Sequence, residues 1–459
     1  MSRLLGRGAA VSVLCLIAGV YGCDAGHGFV KDDFVWIATS HLPVRARGDL
    51  IRQFGAGTGF FRPIVSLSFA ADQAIFHRAP LAYGLTNLAL LFACVGMLYL
   101  LFRALGLRAG VAVGAALVWA LNYQGINMAV LWISGRTALV VTFWAVAAAY
   151  AWVRRLGAAA ALLAMLAMWS KEEGFAVPAI LTAWALIDAG RHDAGQESPA
   201  RRIVRQTWLL WLVTAASLAA RAWSGAFTPA SAPPSYHYQL DLATLGGNAV
   251  RYADRSATMS VLTLLIFWLA AGCPRVPVGW DSSGLTRKGT LWLLLGFAPT
   301  ILLPVRSSLY AVFPSVGAVL VAGDLAERIA ARAPLDKVKR AVAVLLLLLV
   351  ALVPVYHSRN RRYVREAELS RSIMDELLMI AASSSQGGLV VIRDVRDEPP
   401  TAEQAFGALA NEAALLMTTG KIRLWIDPPP AELAGATPPD INSAIAVMVV
   451  EHGRVVRAQ

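Results

Sequence analysis

Residues 8–33 read GAAVSVLCLIAGVYGCDAGHGFVKDD: an apolar run, preceded by Arg3 and Arg7, that ends in two carboxylates, Asp32 and Asp33. Positive charge stays on the cytoplasmic side of a membrane. The run therefore reads as a first span with a cytoplasmic amino terminus, and the acidic pair emerges on the opposite face. Carboxylates so close to a bilayer are costly unless they are used, which makes Asp32 and Asp33 the first candidates for chemistry. A cleaved signal peptide over residues 1–23 is the alternative, although Val20-Tyr21-Gly22 before Cys23 is a poor lipoprotein cleavage site.

The whole chain is of the same character. Of 459 residues, 57% are hydrophobic and 15% are charged, against about 25% charged in a soluble domain. The net charge of +12 is spread in short clusters between apolar segments with no continuous basic arm, which argues against nucleic acid as a partner. Four cysteines without CxxC spacing make a disulfide framework or a zinc site a poor reading.

A span needs about 20 mostly apolar residues. Eleven segments are expected to cross: 8–23, 82–102, 109–124, 136–153, 156–170, 174–189, 207–222, 256–272, 289–304, 308–325 and 340–356. Counted this way, the basic turns fall on the side of the amino terminus: Arg103 and Arg108; Arg154 and Arg155; Arg191, Arg201, Arg202 and Arg205; Arg275, Arg287 and Lys288; Arg328, Arg332, Lys337, Lys339 and Arg340. The positive-inside pattern thus repeats at each cytoplasmic turn. The other face receives the loop 24–81, the turn near 124–135, the loop 223–255, the breaks Lys171-Glu172-Glu173 and Arg306-Ser307-Ser308, and everything after 357. In the first of these loops Pro63 can begin a helix with an apolar face over 64–77, suited to the membrane interface.

Residues 358–459 read as a small soluble α/β domain following the membrane domain 1–357. An amphipathic helix is expected over 366–382, strands at Gly388–Ile392 and Ile422–Ile426, a helix over 402–418, and a hairpin over 444–457 turning at His452-Gly453. It shows no phosphate loop, metal-ligand cluster or triad spacing. Packing on the membrane domain or gripping a partner is the expected role.

Carboxylates and cations accumulate at the outer breaks: Asp32, Asp33, Arg62, Arg136, Lys171, Glu172, Glu173, Arg221, Arg251 and Arg306, with Tyr236 and His237. A carboxylate there could deprotonate a hydroxyl nucleophile, and basic groups could stabilise a departing phosphate. The plainer alternatives are that Arg136 and Arg306 snorkel at span ends and that Lys171 pairs with Glu172.

The order of motifs resembles a family. Asp32-Asp33, Phe61-Arg62-Pro63-Ile64 and Tyr83-Gly84-Leu85-Thr86-Asn87 resemble the amino-terminal half of the GT-C glycosyltransferases. The branch they resemble most is the transmembrane, TPR-containing protein O-mannosyltransferases and their bacterial relatives. Trp132-Ile133-Ser134-Gly135-Arg136, Ser170-Lys171-Glu172 and Tyr310-Ala311-Val312-Phe313-Pro314-Ser315-Val316-Gly317 continue the pattern over roughly residues 10–325. The chain departs from it at Gly84, where the family often has histidine, and at Asn127-Met128-Ala129, where an acidic residue is common.

The resemblance implies a GT-C-like, all-α polytopic fold. It also implies inverting transfer of a sugar, such as mannose, from a polyprenyl-phosphate carrier to a protein or glycan acceptor outside the cytoplasm. Asp32 or Asp33 would be the catalytic base and Lys171 and Arg306 would bind the donor phosphate; Arg62, Asn87, Arg136 and Glu172 would support them. No metal ligand set is implied, although a carboxylate pair can hold a divalent cation. A cell-envelope scaffold of the same fold and a transporter of lipid-linked saccharides are the rival readings. A transporter would place charge at mid-span and show an internal repeat. The expected location is the inner membrane, with the tail outside.

Overall fold

In the computed structural model the chain is described over residues 13–40, 59–190, 198–228, 231–233, 236–276, 284–384 and 387–458. Arg3, Arg7, the start of the first expected span, Arg191 and part of the loop 24–81 lie outside these residues.

The protein is a mostly helical membrane protein with a small carboxyl-terminal sheet. Six helical segments are long and apolar enough to cross a bilayer: Pro80–Ala104, Ile133–Val153, Ala200–Ser224, Leu242–Ala270, Ser308–Arg332 and Leu335–Ser383. The expected eleven spans are therefore not what the described chain forms. Segments 109–124 and 156–170 become the helices Ala109–Ala120 and Gly157–Met168, of 12 residues each. At about 1.5 Å per residue these are roughly 18 Å long, well short of a hydrocarbon core of about 30 Å. Segments 174–189 and 289–304 become Ala176–Ala189 and Leu285–Gly296, with 14 and 12 residues.

The apolar composition of these segments outlasts their helical hydrogen bonding. Asn122 ends the first by turning its side chain onto the Gln124 N–H. Trp169-Ser170 turns before Lys171, and Phe297-Ala298 turns before Pro299. Amphipathic helices do form in the first loop, at Asp33–Ser40 and Pro63–Phe76.

Neighbouring helices pack antiparallel around small residues. Gly317 meets Gly289 so closely that a Cβ at 317 would lie 2.4 Å from the Gly289 carbonyl oxygen, the kind of close helix contact that membrane bundles use. At one end of the bundle the basic turns come together: Arg108 pairs with Glu327, Lys288 with Asp188 at 2.8 Å, and Arg340 donates to the Ala270 carbonyl at 3.1 Å. The breaks carrying Asp33, Arg62, Glu172 and Arg306 gather at the other end.

The last apolar helix, Leu335–Ala351, is followed directly by Val353–Ser383, which runs through the expected boundary at 357/358 without a break. Beyond it the tail forms β1 (Gly388–Asp394), β2 (Ile422–Asp427), β3 (Ala444–Glu451) and β4 (Arg454–Ala458) in the order β2-β1-β3-β4. β1 is parallel to β2 and β3, with Val391 opposite Trp425 and Val447, and β3–β4 is the expected hairpin. The core of this sheet is not its own. Val390, Ile392 and Phe406 belong to one apolar cluster with Phe34, Trp36 and Phe69 of the first loop.

Candidate functional site

Asp33 opens the Asp33–Ser40 helix, and both its oxygens are occupied. One accepts the Val30 N–H at 2.8 Å; the other accepts the Ser134 N–H at 2.7 Å and the Ser134 hydroxyl. It is fully buried and ties the first loop to the Trp132–Arg136 segment. Burial pushes its pKa up to about 7, against the lowering effect of these three donors. Asp32 is the opposite case. Its side chain reaches solvent and has no hydrogen-bond or ion-pair partner among the described residues. The recess around it is nonetheless crowded. Burial raises its pKa despite the opposing fields of Arg62 and Lys31.

Arg62 stands at the start of the Pro63–Phe76 helix, 4.3 Å above the Phe60 ring, and bonds Glu172 at 2.5 Å. Glu172 also takes Arg221 at 3.1 Å. Burial alone would raise the Glu172 pKa; the two guanidinium groups outweigh it and hold the carboxylate at about 2. Lys171 does not pair with Glu172. It is buried, bonds Glu173 at 2.6 Å and lies 4.8 Å over the Tyr310 ring. Its charge is consumed locally.

Arg136 does not snorkel. It is fully buried, paired with Asp72 at 2.6 Å and donating to Asn87 at 2.9 Å. Asn87 in turn donates to the carbonyls of Val130 and Ile133 at 3.2 and 3.1 Å. Asn87, held by Arg136, satisfies the backbone where the chain breaks between helices, and so supports the Ser134 platform of Asp33. Gly84 fits this crowding: a Cβ there would lie 2.5 Å from the Gly26 nitrogen, which leaves no room for the histidine of the resembled family.

Two cavities flank this region. The first, about 290 Å³, carries Lys31, Arg255, Arg306 and Arg362 against the single carboxylate of Glu366. Arg306 is anchored by Asn248 at 2.8 Å. Nη1 of Arg255 and the indole nitrogen of Trp132 are buried without a hydrogen-bond partner on the same wall. The second, about 320 Å³, is lined by Arg62, Glu172, Glu173 and Arg221 together with aromatic rings. The segment Arg306–Tyr310 contributes to both walls. A larger apolar cavity of about 370 Å³, around Gly114, Phe267 and Gly323, shares no residue with either.

The structure thus brings Asp32, Arg62, Glu172 and Arg306 to one region, and gives Asp33, Asn87, Arg136 and Lys171 internal partners. Sequence reasoning missed Asp72, Arg255 and Arg362. Asp72 was detectable as a lone acid in an apolar helix; Arg362 carries no local signal, because only tertiary packing brings its helix here. Each Asp33 oxygen already accepts at least one protein donor. Among the described residues the one trio with metal-ligating spacing is Asp397, Glu451 and His452, exposed at the tips of the tail strands and within 4.8 Å of one another.

Compared with known proteins, the chain matches no family model, no curated protein and no solved structure.

Proposed function

We propose that the protein is a GT-C-like membrane glycosyltransferase. It moves a sugar, such as mannose, from a polyprenyl phosphate to a hydroxyl of a protein or glycan acceptor. The acceptor oxygen attacks the anomeric carbon with inversion, and its proton passes to Asp32. The carbon–oxygen bond to the phosphate breaks with its electron pair on the phosphate oxygen, which the basic cavity receives. The observation that carries this reading is the carboxylate of Asp32, without a side-chain partner among the described residues, next in the chain to Lys31, which lines the cavity holding Arg255, Arg306 and Arg362. A raised carboxyl pKa suits a general base, and converging guanidinium groups suit a leaving phosphate.

Asp32 takes the catalytic role and Asp33 the positioning one. Arg306 remains in the phosphate site, where Arg255 and Arg362 join it in place of Lys171. In this reading the site end of the bundle faces away from the cytoplasm at the inner membrane, the basic turns face the cytoplasm, and the tail is extracytoplasmic.

The test is transfer from a radiolabelled polyprenyl-phosphate hexose in isolated membranes. Wild type should label an acceptor; Asp32→Asn should fall on the order of 10²–10⁴-fold. Absence of transfer by folded wild type across several sugars would sink the transferase reading and favour the scaffold.

A further inference from the structure

The apolar cavity of about 370 Å³ is a groove at the end of the bundle that carries the basic turns. One wall is formed by Ala109–Ala120 and Ser315–Arg332, through Gly110, Gly114 and Gly323. The facing wall is Leu335–Ala351, through Val338, Val342, Leu346 and Leu349. That helix packs on Leu242–Ala270 but stands off from the other two. Missing side chains widen the gap: an added Cβ at Gly110 or at Gly114 would meet nothing within 4 Å. Val342 and Leu346 are 45% and 43% exposed, so the groove is not closed over.

Chemistry and length restrict what fills it. The Thr263 hydroxyl on the wall is spent on the Met259 carbonyl at 2.8 Å. Water finds almost no partners in such a space, and an unfilled gap forfeits van der Waals contact on every side. Along Leu335–Ala351 the wall runs from Val338 to Leu349. That is about 16 Å of helix, or roughly half of a hydrocarbon core of about 30 Å. The groove is therefore one leaflet deep.

Its shallow end is cationic. Arg108 is the one charged residue on the wall and pairs with Glu327; Arg328 pairs with Asp324 at 2.6 Å. In the turn 332–340, Arg332, Lys337, Lys339 and Arg340 stand against Asp336 alone, and no ion pair joins them among the described residues. Lys337 and Lys339 flank Val338, the first residue of the facing wall. An apolar slot one leaflet deep with unbalanced cations at its mouth suits a single molecule, one with an acyl tail and an anionic head.

We propose that the groove holds one acyl chain of an anionic phospholipid from the leaflet on the side of the basic turns, with its phosphate among Arg108, Lys337 and Lys339. The site lies at the opposite end of the bundle from Asp32 and stands whether or not the protein transfers sugar.

The experiment counts lipids retained by the full chain in native mass spectrometry, after titration in detergent with phosphatidylglycerol or phosphatidylcholine of equal chain length. Wild type should retain one phosphatidylglycerol with about fivefold preference or more. Gly114→Leu places a side chain in the groove and should retain it about fivefold less, through lost chain packing. Gly110→Leu, one turn nearer the basic end, repeats the test should the first variant fail to fold. Gly96→Leu is the control: it is exposed on Pro80–Ala104, has the same open space around an added Cβ, and lies off the groove. It should bind as wild type does. Lys337→Gln with Lys339→Gln should abolish most of the headgroup preference. Equal retention in the groove variants and Gly96→Leu overturns the site, as does an equal affinity of wild type for the two lipids. Displacement of phosphatidylglycerol by a polyprenyl phosphate would give the groove to a different tail, and a dimer lost in Gly114→Leu would give it to a second copy; either result also overturns the proposal.

Discussion

Asp32 and Asp33 are adjacent in the chain and opposite in environment, and the roles proposed for them follow from that difference. Asp33 holds three donors in a dry setting. Replacing it by alanine strands all three, at roughly 1–3 kcal/mol each before relaxation, so Asp33→Ala should lose about 3 kcal/mol in thermal unfolding. Its folded pKa of about 7 stands above the 3.8 of an ordinary aspartate. The folded state therefore binds this proton more tightly than the unfolded chain. Below the unfolded value both states are protonated and nothing is lost. As pH rises from there to about 7 the unfolded chain ionises first, and stability falls. The melting temperature should decline across that window and flatten in Asp33→Asn; an unchanged slope in the variant would show that another group is responsible. Asp32, with its raised pKa and a side chain without a partner among the described residues, should set the acid limb of transfer above the ordinary carboxylate range.

The Asp33–Ser40 helix, eight residues long, is too short to be stable alone. The tail supplies its support. Phe34 packs on Phe406 at 5.8 Å between ring centres, the Lys31 N–H donates to the Ala405 carbonyl at 3.0 Å, and Ser370 donates to the Phe29 carbonyl at 2.6 Å. Phe406→Ala should cost about 3–5 kcal/mol and lower transfer by displacing Asp32, although it lies outside the site. Val456→Ser, on the exposed side of β4, should leave both unchanged within about 0.5 kcal/mol. The Pro80–Ala104 helix is constrained at Gly84, where a Cβ would press on Gly26 backbone. Gly84→Ala should cost about 1–3 kcal/mol by overpacking, read by the same unfolding assay.

At the scale of the molecule, the two ends of the bundle differ in charge and in contents, which makes orientation measurable with native side chains. Cys23 is exposed near the site end, Cys273 is exposed at a basic turn, and Cys94 is buried. In intact cells an impermeant maleimide should label Cys23; Cys273 should label only after permeabilisation. The reverse pattern would place the tail in the cytoplasm and remove the proposed lipid-donor geometry.

Much of this architecture is written locally in the chain. Apolar runs mark the bundle, the arginine clusters mark its turns, Pro63 marks the interfacial helix, and period-two patterns with Gly387-Gly388 and His452-Gly453 mark the strands of the tail. The number of spans was not legible, because hydropathy records composition, whereas crossing a membrane requires unbroken helical hydrogen bonding over the full thickness. Nor could local sequence separate Asp32 from Asp33, or show that Lys171 is spent on Glu173 while Arg255 and Arg362 face the same cavity as Arg306. Those facts depend on which side chains meet across long separations in the chain. Residue type determined by itself that this is a polytopic helical protein with acidic and basic groups at its breaks. Only the packing of the tail helix and sheet against the first loop decided which of those groups are paired, which are free, and where they converge.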